Sequence, residues 1–245
     1  MALPPWPPAH AVVSGGSSGI GLACARALAR QGARVSLIAR RPGPLAEAAE
    51  ALGALALPAD LSDPRAARAA AEAAEAAQGP CDLLIAAAGA VAPARIEDAA
   101  PDAFEAAYAA NVATALNLAR PLLPGMRARG AGRVVLIGSA AGLMGLPGLS
   151  AYSAAKFALR GAAEALRAEC APDGVRVSIA YPPDVDTPQL AAERPLRAPE
   201  TAALAGTAGT MSAAAAAAAI LRGARSGRFD VPLGLTAWAM LRLMP

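Results

Sequence analysis

The chain has 245 residues, of which 56% are apolar and 17% are charged, and this balance argues against wholesale disorder. The formal charge of +3 is spread along the sequence without a block of like charges, so we expect no nucleic-acid partner. Three separated cysteines and a single histidine argue against a metal site and favour the reduced thiols of a cytoplasmic protein.

The chain begins with a proline-rich stretch, 1–9, which predicts a flexible arm. After it, short apolar runs alternate with helix-length, alanine-rich segments. Strands without in–out alternation are buried on both faces, and their alternation with helices indicates a parallel, doubly wound sheet. We therefore predict one α/β domain over 1–245, Rossmann-like, with a seven-stranded, mainly parallel sheet and helices on both faces. Strands are predicted over 11–14, 33–39, 54–57, 82–87, 133–138, 175–181 and 228–231, and helices over 19–31, 44–52, 64–78, 101–129, 150–171 and 211–226.

Two segments near the end of the chain depart from this pattern. Residues 186–210 are long and interrupted by prolines, which is typical of a lid over a site. Residues 232–245 form an apolar tail that predicts either packing on the protein or contact with a membrane surface. In the lid, we expect Leu190, Leu196 and Leu204 to line a channel and Arg194 and Arg197 to face outward. The tail places apolar side chains around Arg242, a pattern suited to an interface; they are Trp238, Met240, Leu241, Leu243 and Met244.

The stretch "VVSGGSSGIG" joins the first predicted strand to the first helix. The spacing of Gly15, Gly19 and Gly21 lets a backbone approach a pyrophosphate at a helix N-terminus, where free N–H groups favour an anion. Glycines in such a turn could also serve close packing alone. Their position between strand and helix favours the dinucleotide interpretation.

The end of the second strand carries a signal for the choice of cofactor. Enzymes that use NAD need an acid here to accept the ribose hydroxyls, and Ala39 supplies none. Arg40 and Arg41 follow, and guanidinium groups suit a 2′-phosphate. We predict NADP(H), although one of these arginines could simply be solvated.

Tyr152 and Lys156 are four residues apart in "YSAAK", so they share one face of a predicted helix. Unit charges about 4 Å apart interact by roughly 4 kcal/mol at an effective dielectric constant near 20, so we expect the ammonium to lower the pKa of the tyrosine towards 7. Ser139 ends a predicted strand, where open α/β sheets bind ligands. Alone, the tyrosine–lysine pair could be decoration of a helix surface.

Together, these motifs resemble the short-chain dehydrogenase/reductase family over roughly residues 10–232. The resemblance implies that Tyr152 is the proton donor, that Lys156 binds the nicotinamide ribose, that Ser139 positions the carbonyl and that Asn111 holds a relay water. The motif "AAAG", ending at Gly89, lacks the asparagines usual in the family. The cofactor contacts that the resemblance implies are Gly15, Ser17, Ser18, Gly19, Ile20, Gly21, Arg40, Arg41, Asp60, Leu61, Ala88, Gly89, Tyr152, Lys156, Pro182, Val185 and Thr187.

Within the family, "GLPGLSAYSAAKFALRGAAEALR" and "AYPPDVDTPQL" resemble the branch that reduces 3-ketodihydrosphingosine. The resemblance implies a lipid-like ketone substrate, a homodimer or homotetramer, and peripheral membrane contact through 186–210 and 232–245. Two alternatives are a reductase of a 3-oxoacyl thioester or small ketone, and a cofactor-binding protein without turnover. The presence of the full catalytic set argues against a protein without turnover; the set is Asn111, Ser139, Tyr152 and Lys156.

Overall fold

The computed structural model describes residues 4–243. Its main sheet contains seven parallel strands in the order β3-β2-β1-β4-β5-β6-β9, and a second sheet pairs β7 with β8. The prediction of a doubly wound parallel sheet is thus confirmed, with every pair of the main sheet parallel. The strands are β1 (His10–Ser14), β2 (Arg34–Ala39), β3 (Leu55–Pro58), β4 (Leu83–Ala86), β5 (Gly132–Ile137), β6 (Val175–Tyr181), β7 (Asp184–Asp186), β8 (Thr210–Ser212) and β9 (Asp230–Pro232).

The central strands are buried on both faces, which explains their continuous apolar runs. In β1, Val12 packs into one hydrophobic cluster with α3, α5 and α6, and Val13 packs into the other with α1, α2 and α9. Helices therefore cover both faces of the sheet. They are α1 (Gly19–Ala29), α2 (Pro42–Glu50), α3 (Pro64–Gln78), α4 (Ala103–Tyr108), α5 (Thr114–Ala128), α6 (Ser150–Cys170), α7 (Pro188–Glu193), α8 (Pro199–Ala208), α9 (Ala213–Ser226) and α10 (Leu235–Leu243).

The helix predicted over 101–129 is divided by a π-helical turn, Ala109–Ala113, between α4 and α5. The side chain of Asn111 donates to the carbonyl of Ala107 at 2.9 Å, and that of Thr114 donates to Ala110 O at 2.8 Å. These side chains compete with backbone donors for the carbonyls, so the regular helical ladder is interrupted. The interruption brings Asn111 to the site described below.

The segment 186–210 is folded into short elements. A proline begins each of α7 and α8, where its missing N–H costs no helical hydrogen bond. Strand β8 extends the segment by pairing with β7, and α9 therefore begins at Ala213, two residues after the predicted start. The prolines mark helix starts in this segment.

The N-terminal residues 4–9 lie against the protein, which differs from the flexible arm that the composition predicts. Buried Arg133 donates to the carbonyls of Pro4 and Pro5, and its guanidinium lies 5.4 Å from the ring centroid of Trp6. Trp6 Nε1 donates to Gln31 at 2.9 Å. Residues 1–3 of the arm, together with Met244 and the last residue of the tail, lie outside the described residues.

Helix α10 packs one face on the protein and exposes the other. Ala237 is buried, and Met240 and Leu241 pack against the core, whereas Trp238 and Leu243 are exposed. Across 4–243, no helix has the length and apolar character that crossing a membrane requires.

Candidate active site

The carboxyl ends of the parallel strands open into one cavity of about 760 Å³, as expected for a doubly wound sheet. All the residues predicted to bind the cofactor or to act in catalysis line this cavity. The structure thus brings the predicted residues together, and their roles in binding and catalysis stay predictions. They are Gly15, Ser17, Ser18, Gly19, Ile20, Gly21, Arg40, Arg41, Asp60, Leu61, Ala88, Gly89, Asn111, Ser139, Tyr152, Lys156, Pro182, Val185 and Thr187.

The turn between β1 and α1 forms one end of the cavity. Gly15 has φ +64°, and a β-carbon on it would lie 2.8 Å from Ala87 O, so only glycine fits this turn. A β-carbon on Gly21 would contact Gly15 O, which shows how closely α1 packs on the turn. The side chain of Ser18 makes no capping hydrogen bond to α1, so the first N–H groups of the helix stay available to an anion.

Arg40 and Arg41 are exposed at the end of β2 and line the same end of the cavity. Among the described residues, their guanidinium groups make no hydrogen bond or ion pair. Asp60, two residues after β3, also lines the cavity, and its Oδ1 accepts from Ser62 N at 2.9 Å and from Ser62 Oγ at 2.7 Å. These two bonds, with a smaller contribution from Arg40, hold the pKa of Asp60 below its usual value.

The candidate catalytic side chains lie where α6 crosses the end of β5. Lys156 is buried, and its Nζ donates to Ile137 O at 2.9 Å. Ser139 follows β5, and its Oγ accepts from Ala141 N at 3.1 Å. Tyr152 is partly exposed to the cavity, one helical turn before Lys156 and beside the Ser139 side chain. The three groups therefore meet at one point of the cavity wall.

The expectation that Lys156 lowers the pKa of Tyr152 is wrong for the protein by itself. Burial raises the pKa of Tyr152 to about 12, and the hydrogen bond with Ser139 offsets only part of this effect. Burial also lowers the pKa of Lys156 to about 8. The Lys156 ammonium is 5.4 Å from the ring centroid of Tyr152 and bonds to Ile137, so loss of hydration outweighs attraction between the pair.

Asn111 has one buried polar atom without a partner. Its Nδ2 donates to Ala90 O at 2.8 Å and to Ala107 O at 2.9 Å, whereas Oδ1 makes no hydrogen bond among the described residues. The point where a β-carbon on Gly89 would lie is 2.8 Å from this Oδ1 and 3.8 Å from Lys156 Nζ. Both polar groups therefore lie within 4 Å of one point beside the backbone of Gly89.

The segment after β6 closes the cavity from another side. Pro182 O accepts from Ala140 N at 3.2 Å, which ties this segment to the loop after β5. Thr187 caps α7 by accepting from Leu190 N at 3.2 Å, and its methyl carbon would be 3.1 Å from a β-carbon on Gly19. The segment thus reaches over to the glycine turn.

The end of the cavity beyond Tyr152 combines apolar side chains with one group of charges that sequence reasoning missed. Arg197 donates to both oxygens of Asp184 at 2.6 and 2.7 Å and to Glu193 Oε1 at 2.7 Å. The prediction that Arg197 faces outward is therefore wrong, whereas Arg194 is exposed. The apolar lining comes from Met144, Leu146, Leu149, Leu190, Leu204 and Met240. The prediction that Leu196 also lines the channel is wrong, because its side chain is exposed on the surface outside this wall.

The composition of the chain also carries a signal for the site. The chain contains 22 lysine and arginine residues, and Lys156 is its only lysine. Arginine has a rigid, always charged guanidinium, whereas lysine can be buried with a lowered pKa. A lysine kept at one position in an arginine-rich chain points to a chemical need for it there.

A family model described as short chain dehydrogenase matches residues 9–197. The chain belongs to this family. Its oxidoreductase chemistry acts between a carbonyl and an alcohol, and the lining of the cavity contains the residues by which the sequence resembles other short-chain dehydrogenases.

Named relatives of the chain indicate which reductases within the family it is similar to. The 3-ketodihydrosphingosine reductase of Bos taurus is 35% identical, with 97% of this chain and 74% of the relative covered. A 3-dehydrosphinganine reductase of Arabidopsis thaliana is 35% identical, with 91% of this chain and 69% of the relative covered. This short-chain dehydrogenase is thus similar to reductases of one lipid ketone in an animal and a plant.

Solved structures agree on the fold. A short-chain dehydrogenase/reductase from Burkholderia phymatum in complex with NAD has a TM-score of 0.85 at 26% identity, covering 96% of this chain and 92% of that chain. L-Sorbose reductase from Gluconobacter frateurii, complexed with NADPH and L-sorbose, has a TM-score of 0.81 at 28% identity, covering 92% and 94%. These neighbours carry different nicotinamide cofactors, so they leave the choice of cofactor to the residues of this chain.

Proposed function

We propose that this short-chain dehydrogenase reduces 3-ketodihydrosphingosine to dihydrosphingosine with NADPH. The observation that carries the proposal is the single cavity: a phosphate-binding turn at one end, Ser139, Tyr152 and Lys156 at its middle, and an apolar wall beyond them. The similarity to reductases of this lipid ketone over nearly the whole chain supports the substrate.

The cofactor end fits a dinucleotide on three counts. The glycine turn packs closely on the backbone after β4 and lines the cavity, the start of α1 offers free N–H groups, and Asp60 is held by Ser62 in the cavity wall. Arg40 and Arg41 are free to bind a 2′-phosphate, which favours NADPH over NADH. A bound nicotinamide supplies the hydride that the carbonyl carbon accepts.

The side chains of the chain itself handle the carbonyl oxygen and its proton. A pKa of about 12 keeps the proton on Tyr152 at neutral pH, so its hydroxyl acts as a donor to the oxygen that becomes the alcohol. Ser139 holds the same oxygen by hydrogen bonding. Lys156 and the free Oδ1 of Asn111 can hold a water that returns a proton to Tyr152 from solvent.

The geometry favours a lipid ketone over a 3-oxoacyl thioester. A thioester carried on a phosphopantetheine arm needs basic groups at the rim, and Arg197 is committed to Asp184 and Glu193 inside the cavity. The apolar wall suits the alkyl chain of either substrate, so the pairing of Arg197 is what favours the lipid ketone. Reduction of a small ketone stays the alternative that the substrate assay below discriminates.

We propose that the exposed face of α10 touches a membrane surface from which the lipid substrate is drawn. Leu235 is 85% exposed and Trp238 51% exposed, and Leu196 and Leu204 of the segment 186–210 are also exposed. Because α10 and α8 both contribute side chains to the cavity wall, this apolar surface adjoins the cavity. Such a contact is peripheral and of modest strength.

We also propose that the chain pairs with copies of itself, as a homodimer or homotetramer, through α4 and α6. These helices pack on each other and expose Phe104, Tyr108 and Phe157. Aromatic side chains are enriched in the cores of protein interfaces. Sedimentation velocity tests this directly, and a purely monomeric chain at micromolar concentration would contradict it.

Substitution of Tyr152 tests the chemistry. We expect Tyr152→Phe to lower kcat for 3-ketodihydrosphingosine by about 100-fold or more, because only the proton donor is removed, while NADPH binding changes little. The matched control is Tyr108→Phe, which removes a hydroxyl from an exposed tyrosine. NADPH oxidation measured by absorbance, with a short water-soluble ketone in parallel, gives both values. Near wild-type turnover by Tyr152→Phe, or higher kcat/KM for the short ketone, would contradict the proposal.

Substitution of Arg40 or Arg41 tests the choice of cofactor. Loss of a charge-assisted bond to the 2′-phosphate should raise the Kd for NADPH about tenfold or more and leave that for NADH nearly unchanged. Arg222→Ala, which removes an exposed arginine of α9, is the control. The assignment fails if titrations of Arg40→Ala and Arg41→Ala show unchanged Kd values for both cofactors.

The double substitution Leu235→Ser/Trp238→Ser tests the membrane contact without removing side chains from the cavity wall. We expect it to reduce flotation with anionic vesicles several-fold, since apolar area buried in the interface is lost. High salt should also reduce the flotation of the wild-type protein, because it screens attraction to the anionic surface. Ile96→Ser is the control, because this exposed apolar side chain lies outside both the cavity wall and the proposed pairing surface. Equal flotation of all three proteins would exclude the contact through α10.

A further inference from the structure

The cavity wall contains a group of three charged side chains, Asp184, Glu193 and Arg197, here called the acidic triad. Asp184 belongs to β7, Glu193 ends α7, and Arg197 follows one turn later. All three line the cavity, and their side chains are 16%, 10% and 7% exposed respectively. The triad is therefore largely shielded from bulk water and faces the space in which a substrate lies.

The charges of the triad do not balance. One guanidinium faces two carboxylates, which leaves a net charge of −1 in a poorly hydrated wall. The remaining cation of the inner cavity, Lys156, bonds to Ile137 O instead. A shielded, uncompensated charge is costly, and a ligand that supplies the missing positive charge would relieve that cost.

The donors and acceptors of the triad show which ligand it would take. Arg197 donates from Nε to Glu193 and from its two terminal nitrogens to Asp184, so few of its N–H groups remain to bind an anion. Glu193 uses Oε1, and within the described residues no hydrogen bond reaches its Oε2. A carboxylate also has more acceptor positions than one bond fills. The triad thus offers acceptors rather than donors, which suits a cation.

The triad also lies close to the reacting group. The triad lines the same cavity as Tyr152, and the charges of Glu193 and Asp184 raise the pKa of this tyrosine while that of Arg197 lowers it. A group bound to the triad therefore sits near the carbonyl that Tyr152 protonates. In 3-ketodihydrosphingosine the carbon that bears the amine is bonded directly to the carbonyl carbon, so its ammonium must lie near Tyr152.

We propose that the acidic triad, with Glu193 as the main acceptor, binds the ammonium group of a long-chain 2-amino ketone. The inference rests on the proposed function and names the residues that select its substrate. A merely fastening role, in which Arg197 ties the turn after α7 to β7, would be met by the bond to Asp184 alone. The second carboxylate is what gives the wall its excess negative charge.

The test compares two ketones of the same chain length. We would measure kcat/KM with NADPH for 3-ketodihydrosphingosine and for 1-hydroxyoctadecan-3-one, which lacks the amine, in the wild type and in Glu193→Gln and Asp184→Asn. The ratio of the two values is the preference for the amine. The matched control is Glu200→Gln, because Glu200 forms an ion pair with exposed Arg95 outside the cavity wall.

The wild type should prefer the amino ketone about tenfold or more, since a charge-assisted bond is lost with the other ketone. Glu193→Gln should abolish most of this preference, mainly through a higher KM for the amino ketone, because the bond exists in both ground and transition states. Asp184→Asn should reduce the preference in the same direction, and Glu200→Gln should keep it.

Two results would overturn the inference while the proposed function stands. One is a wild type that reduces both long ketones equally well, and the other is a Glu193→Gln variant that loses both activities in the same proportion, as a fastening role requires. If neither long ketone is reduced while a short ketone is, the proposed function fails, and the inference falls with it.

Discussion

The position of the reacting tyrosine depends on one hydrogen bond, which Lys156 Nζ donates to Ile137 O at the carboxyl end of β5. This bond anchors α6 across the end of the strand, one residue before the turn that leads to Ser139. The packing is close: a β-carbon on Gly142 would lie 2.9 Å from Lys156 O. Tyr152, one turn earlier on α6, is thereby held beside Ser139. The cofactor end of the cavity and its apolar end both adjoin this point.

The same bond explains why the site needs a lysine. The ammonium is buried, and the resulting loss of hydration brings its pKa down to about 8, so the group is mostly charged at pH 7 and can release its proton slightly above that pH. An arginine could not titrate there. Because burial also raises the pKa of Tyr152, the protein alone keeps that proton in place, which suits donation to a ketone oxygen.

The parts that local sequence determines were predictable. The glycine turn, the buried strands and the helix that carries Tyr152 and Lys156 follow from residue spacing and hydrophobic pattern, and their bounds shift by only a few residues. The parts that depend on tertiary contacts were not. The π-turn at Asn111 and the acidic triad depend on which side chains bond to which partners, the segment 186–210 depends on the pairing of β8 with β7, and the pKa of Tyr152 follows burial that no spacing reveals.

Titration of the one lysine tests the central claim most directly. Protein labelled with 13C-lysine should give a single Cε signal from Lys156, because the chain has no other lysine. We expect its chemical shift to titrate with a pKa of about 8 in the cofactor-free protein. A pKa at the ordinary value of 10.5 would show a solvated ammonium and would contradict the buried anchor on which this account of the active site depends.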